Sequence, residues 1–197
     1  MFEEILKRSG RFLTSLSLKY IIMDKYDGID RKTILNTIAN ECINLQSLDL
    51  GDYKITKIFV QLLQPNFNKV EDFRCATEDL DDEDLKNLFL ENKKIKYLKI
   101  DADYNRKLSG TFLKALSKET LIYLELYSIN IDGLNIIKDF SLLKTLILDE
   151  KKVSDDILIN VAQSCLELNC VKLISKLFKP FKYYLLFIFQ LLAIKFL

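Results

Sequence analysis

The chain contains no histidine. That single absence excludes Ser-His and Cys-His catalytic pairs and every metal site built on imidazole. Glycine occurs only 5 times and proline twice, too sparsely for glycine-rich loops that cradle phosphate. Charge of one sign is lacking too: 29 Lys and Arg face 28 Asp and Glu, for a net charge of +1. So balanced a chain gives no electrostatic reason to expect a nucleic-acid or anionic-membrane partner. The four cysteines, Cys42, Cys75, Cys165 and Cys170, show no CxxC spacing. They read as small apolar core residues of a reducing compartment. The opening Met1–Arg8 mixes acids with bases and lacks the order of a signal peptide. A cytoplasmic or nuclear address is the expectation.

What is present is apolar content, 49% of 197 residues, enough for one globular domain. It is arranged periodically. The pattern L-x-x-L-x-L recurs as Leu13/Leu16/Leu18, Leu45/Leu48/Leu50, Val70/Phe73/Cys75, Ile95/Leu98/Ile100, Leu121/Leu124/Leu126, Leu143/Leu146/Leu148 and Leu168/Val171/Leu173. Successive first positions lie 32, 25, 25, 26, 22 and 25 residues apart. After each of the first six blocks comes an apolar residue and then an oxygen-bearing helix cap: Asp30, Thr56, Asp81, Ser109, Asp132 and Ser154. Each cap opens a segment with apolar residues three and four apart, such as Ile58/Phe59/Leu62 or Leu85/Leu88/Phe89. Strand then helix, about every 25 residues, predicts an α/β leucine-rich-repeat solenoid of about seven repeats. Neither element can bury its apolar face alone, so neighbours must stack, with the parallel sheet on the concave face and helices on the convex one. The extra residues, Lys19 to Gly28 and Asp101 to Lys107, both fall between a strand and a helix, where insertion costs little.

The segment Ala39-Asn40-Glu41-Cys42-Ile43-Asn44-Leu45-Gln46-Ser47-Leu48-Asp49-Leu50 resembles the A-x-x-C-x-x-L-x-x-L-x-L junction of cysteine-containing leucine-rich repeats. Ala162-Gln163-Ser164-Cys165-Leu166-Glu167-Leu168 repeats that junction. Repeats of this length and type are similar to the ribonuclease-inhibitor-like horseshoes of F-box/LRR proteins. The junction Cys departs from the pattern at Gly10, Phe67, Asn92, Lys118 and Phe140, which hold the same offset. The twelve residues before Leu13 are too few for an F-box. The resemblance therefore covers the repeat portion alone, residues 1–176, and leaves 177–197 as a hydrophobic C-terminal tail. It implies a protein-interaction module like the substrate-recognition part of an SCF ubiquitin ligase. Ligase components would be partners only if an F-box exists upstream.

In a horseshoe of this kind the residues flanking the strand leucines face the concave surface. Three columns result. The first is Ser15, Ser47, Asp72, Tyr97, Tyr123, Thr145, Cys170, and the second Ser17, Asp49, Arg74, Lys99, Glu125, Ile147, Lys172. The third is Lys19, Gly51, Ala76, Asp101, Tyr127, Asp149, Ile174. Arg74, Tyr97, Lys99, Tyr123, Glu125 and Tyr127 gather in adjacent middle repeats. Tyr and Arg are the side chains most enriched at protein-interface hot spots, which makes these six the candidate partner-binding residues. Strand tyrosines that merely cover a solvated sheet are the alternative reading. The acidic run Glu78–Asp84 lacks the glycine and spaced ligands of a calcium loop and reads as helix-start acids. No catalytic residue, metal or cofactor is expected.

Residues 183–194 form an uncharged run that would rise only ~18 Å as a helix, against a bilayer core of ~30 Å. A membrane is therefore not the expected partner, and neither is nucleic acid. The competing reading is a stand-alone repeat scaffold unrelated to ubiquitin, with or without a membrane tether in this run.

Overall fold

The structure is a computed structural model that describes residues 2–19, 31–102, 108–129, 131–149 and 153–174. Asp30, most of both insertions and the tail 177–197 lie outside these residues. Seven strands form one sheet: β1 (Ser15–Ser17), β2 (Ser47–Ile55), β3 (Asp72–Thr77), β4 (Tyr97–Asp101), β5 (Tyr123–Tyr127), β6 (Thr145–Asp149) and β7 (Cys170–Ile174). They lie side by side in sequence order and every neighbouring pair is parallel. The α-helices are α1 (Phe2–Ser9), α2 (Arg31–Glu41), α3 (Lys57–Leu63), α4 (Asp82–Leu90) and α5 (Asp155–Ser164). The fold class is α/β with a seven-stranded parallel sheet.

The register follows from the alternation in each block. Leu16, Leu48, Phe73, Leu98, Leu124, Leu146 and Val171 pair in turn across the sheet, one continuous apolar row. Five of them, from Leu48 to Leu146, are fully buried, and the row packs with Ile34, Ile38, Leu85, Phe112 and Ile137 from the helices. A slip of one residue would turn that row outward, so the buried face fixes the pairing. At the centre Phe67 meets Phe73 edge-on at 5.0 Å, and Phe89 bridges from Phe73 at 6.3 Å to Phe112 at 6.0 Å. Burying each such ring stabilises the fold by about 1.5–3 kcal/mol.

The capping expectations hold in two units and fail in two. Thr56 accepts from the amide of Phe59, and Asp81 forms a reciprocal capping box with Asp84. Ser154 stands at the N-cap of α5 without a side-chain bond. Ser109 is not a cap: Gly110 takes that place at φ +84°, and a 3-10 helix, Thr111–Ala115, follows. Asp132 falls inside another 3-10 helix, Ile131–Asp139. The cause is chain length. Only 22 residues separate Leu121 from Leu143, and a 3-10 helix rises ~2.0 Å per residue against ~1.5 Å for an α-helix. The fourth unit, 26 residues from Ile95 to Leu121, gives part of its length to the insertion Asp101–Lys107.

Two further expectations need correction. Ile58 and Leu62 point outward, and α3 buries Phe59, Val60 and Leu63 instead. Gly51 drops out of the third column, because β2 slips between Asp49 and Lys54 and sets Lys54 beside Ala76.

Candidate functional site

One face of the sheet is covered by helices; the other carries the candidate residues. Strand pairing sets Tyr97 beside Tyr123, Lys99 beside both Arg74 and Glu125, and Asp101 beside Tyr127. All six sequence-derived residues therefore share the face of β3, β4 and β5 that no helix among the described residues covers. They form two connected groups.

Glu125 is the hub of the first. It belongs to a Tyr123-x-Glu125-x-Tyr127 run, and alternation on a strand places all three side chains on one face. The Tyr123 hydroxyl donates a hydrogen bond to Oε2 of Glu125, and the Lys99 ammonium lies 3.0 Å from Oε1. Tyr127 donates to the same carboxylate. Burial of Glu125, 8% exposed, pushes its carboxyl up, but the bonds from Tyr123, Tyr127 and Lys99 outweigh it and hold it below the usual range. Burial, and then the bond to Glu125, pushes both phenols up. The carboxylate is thus ionised and saturated with donors, and the phenols stay protonated at neutral pH. Lys99 also stands 5.4 Å over the Tyr127 ring, a cation–π contact.

Arg74 anchors the second group. Its guanidinium grips Asp72 with two bonds, 2.9 Å from Nε and 3.0 Å from Nη2. The bond to Asp72 raises the Arg74 pKa further above its ordinary value. Asp72 was not among the six, although an Asp-x-Arg spacing on a strand signals the clamp. Tyr97 rises between the groups, 39% exposed, with its ring 6.3 Å from that of Tyr123. The result is an aromatic surface in which the hydroxyls of Tyr123 and Tyr127 are held by a charged network. Such a surface loses little entropy when a partner covers it.

The other candidate chemistries resolve into packing. In the acidic run, Asp81 and Asp84 cap α4, Asp84 pairs with Lys57 at 2.8 Å, and Asp82 accepts from the amides of Ser109 and Phe112. Among the described residues no group of three or more Cys, Asp or Glu is placed to hold a metal ion. Cys42, Cys75 and Cys165 are buried, Cys170 is half-buried, and none is in a disulfide. Burial pushes the thiols of Cys42 and Cys165 up to about 11 and that of Cys75 higher still, so these three are poor thiolates. No helix among the described residues is long and apolar enough to cross a membrane. The chain matches no protein-family model and no curated protein.

Proposed function

We propose that this chain is a leucine-rich-repeat solenoid whose uncovered sheet face binds a protein partner through Arg74, Tyr97, Lys99, Tyr123, Glu125 and Tyr127. The observation that carries the reading is the Glu125 hub, which fixes Tyr123 and Tyr127 while leaving aromatic surface exposed. Hot-spot residues are rigid aromatics and arginines of this kind. Consecutive parallel strands with helices returning over one face support the solenoid. So does the burial of Cys42 and Cys165 at the junction offset. By that resemblance the chain corresponds to the substrate-recognition portion of an F-box/LRR subunit, which presents a bound protein for ubiquitination and performs no chemistry itself.

The test is affinity capture with the tagged chain, wild type beside Tyr97→Ala/Tyr123→Ala/Tyr127→Ala. The expected result is a protein recovered by the wild type and lost with the triple variant, and recovered less by Tyr97→Ala alone, which leaves the donors to Glu125 in place and should unfold at a temperature comparable to the wild type. Unchanged recovery overturns the assignment of the site. Cullin and adaptor subunits in the wild-type recovery support the ligase reading; partners without them leave a stand-alone scaffold.

A further inference from the structure

The sheet has an open edge. β7 is its last strand, and no described strand lies beyond it. The amide of Cys170 donates to the Lys144 carbonyl at 3.0 Å, toward β6. Successive residues of a parallel strand bond to opposite sides, so Val171 and Leu173 turn their amides to the open edge. The side chains are as incompletely housed as the backbone. Leu173 is half-buried, whereas Cys75, Ile100, Leu126 and Leu148 in the same row are no more than 2% exposed. Val171 and Val153 are half-buried as well, at positions that Leu146 and Ile55 close completely. Leu16 of β1 is half-buried too, which marks half-burial as the condition of an end row. An unpaired, apolar strand edge invites another strand.

Residues 177–197 fall outside the described residues, but their sequence keeps the register of the unit. In β2–α3, β3–α4 and β6–α5 an apolar residue stands five positions after the last strand anchor: Ile55, Leu80 and Val153. The cap position follows it, then the first helical residue. The fourth and seventh helical residues are buried: Val60 and Leu63, Leu85 and Leu88, Leu158 and Val161. Counted from Leu173, the same places hold Phe178, Lys179, Pro180, Tyr183 and Leu186. Lys179 is no cap, but proline is favoured at a first helical position. Leu191/Ile194/Phe196 then renews the L-x-x-L-x-L pattern 23 residues after Leu168, and Ile188 holds the junction offset. So apolar a run meets apolar anchors easily; its polar residues discriminate better. Gln190 falls in the entering turn, at the offset of exposed Lys69, Lys94 and Glu167, and Lys195 falls in the column of exposed Lys172. Lys182 falls at the third helical position, where α4 already accommodates Asp84.

We propose that residues 178–196 cover this edge by continuing the same stack, a helix followed by a strand that pairs parallel to β7. The register sets Ala193 beside Cys170, Ile194 beside Val171 and Phe196 beside Leu173. The segment joins β7 through only 175–177, so it meets the edge at a high effective concentration, where a second copy would have to associate. Its apolar residues are then buried inside the fold and not in a bilayer. The inference rests on the solenoid reading, which it extends by one unit, and is independent of the partner at the tyrosine face.

Ala193→Cys in the full chain, under mild oxidation with diamide, tests it. The expected product is an intramolecular disulfide with Cys170: free thiols counted in denaturant fall from five to three, and the chain stays monomeric on a non-reducing gel. Parallel neighbours ~4.8 Å apart suit such a bond. Lys195→Cys, two residues along and about 8 Å from Cys170, should keep all its thiols. Thr145→Cys, which the β6–β7 register sets beside Cys170, is the control. In the unaltered protein the amides of Val171 and Leu173 should exchange with deuterium as slowly as those of Cys170 and Lys172. Absence of the Ala193→Cys disulfide beside an intact Thr145→Cys disulfide overturns the proposal and leaves the solenoid standing; failure of both overturns the stack that it extends. An intermolecular disulfide overturns it in favour of a second copy. Equal cross-linking of Lys195→Cys overturns the register, and fast exchange at Val171 and Leu173 overturns the pairing.

Discussion

The side-chain amide of Asn92 donates to the backbone carbonyl of Phe67 at 2.6 Å, linking the same junction offset in two successive units. It donates again to the Val70 carbonyl at 2.9 Å, and its own oxygen accepts from the Lys94 amide at 2.7 Å. Asn92 is 1% exposed, so water cannot replace these bonds. Cys165, at the same offset, also reaches back one unit, donating from Sγ to the Ile137 carbonyl at 3.4 Å. At Asn92 and Cys165 the offset thus hydrogen-bonds one unit to the last. Asn92→Ala should therefore cost about 2–4 kcal/mol, since each buried group left unpaired costs ~1–3 kcal/mol. Asn92→Cys should cost visibly less. Urea unfolding midpoints compare them, and equal losses for both variants would contradict the role.

Asp82 does the equivalent work at the other end of the sheet. Its carboxylate accepts from the Ser109 amide at 2.6 Å and the Phe112 amide at 3.0 Å, capping a helix that belongs to the following unit. Asp82→Ala should destabilise by about 1–2 kcal/mol, the range for lost caps. Glu83→Ala, on an exposed i,i+3 pair with Lys86, should stay within ~0.5 kcal/mol. Thermal unfolding that ranks the two in reverse would discard the cross-unit cap.

The strand register was legible because period-two alternation with one buried face permits only one alignment. Ser15, Ser47, Asp72, Tyr97, Tyr123, Thr145 and Cys170 do stand in one row. The Glu125 hub is readable for the same reason: its two tyrosines are at i−2 and i+2, and Lys99 is its cross-strand neighbour. Features set by a distant partner were not readable. Nothing near Asp82 announces that its acceptors serve Ser109 and Phe112. Nor does the local spacing of Ile58 and Leu62 reveal that α3 turns Val60 and Leu63 inward. Lys118, already a departure from the junction pattern, reaches outward to Asp139 while the equivalent Phe67, Asn92 and Phe140 are buried.

Gly51 marks the slip in β2. It adopts φ +58°, and a Cβ there would lie 2.8 Å from Cα of Lys19 on the neighbouring strand's exit. Both effects oppose any side chain: the left-handed backbone costs ~1–2 kcal/mol for an L-residue, and backbone must move to admit the methyl. Gly51→Ala should lower stability by about 2 kcal/mol or more. An unchanged unfolding midpoint would mean that the β1–β2 connection relaxes freely.

The Glu125 network makes stability depend on pH in a stated direction. Burial raises the carboxyl, the three donors lower it more, and the folded value ends below the ordinary one. A depressed carboxyl contributes stability that is complete above its unfolded value of about 4.3 and is lost as pH falls through the folded value. Glu125→Gln keeps an acceptor for the two hydroxyls but cannot titrate. Stability of the wild type should therefore fall more steeply than that of the variant between about pH 5 and pH 3. At the alkaline end the sign reverses. The phenols of Tyr123 and Tyr127 are raised, first by burial and then by Glu125, so their contribution is present below about pH 10 and lost as pH rises through the higher folded values. Tyr123→Phe/Tyr127→Phe should flatten that limb. Urea unfolding across the pH range reads both limbs, and parallel curves for wild type and variants would show that the network carries no linkage.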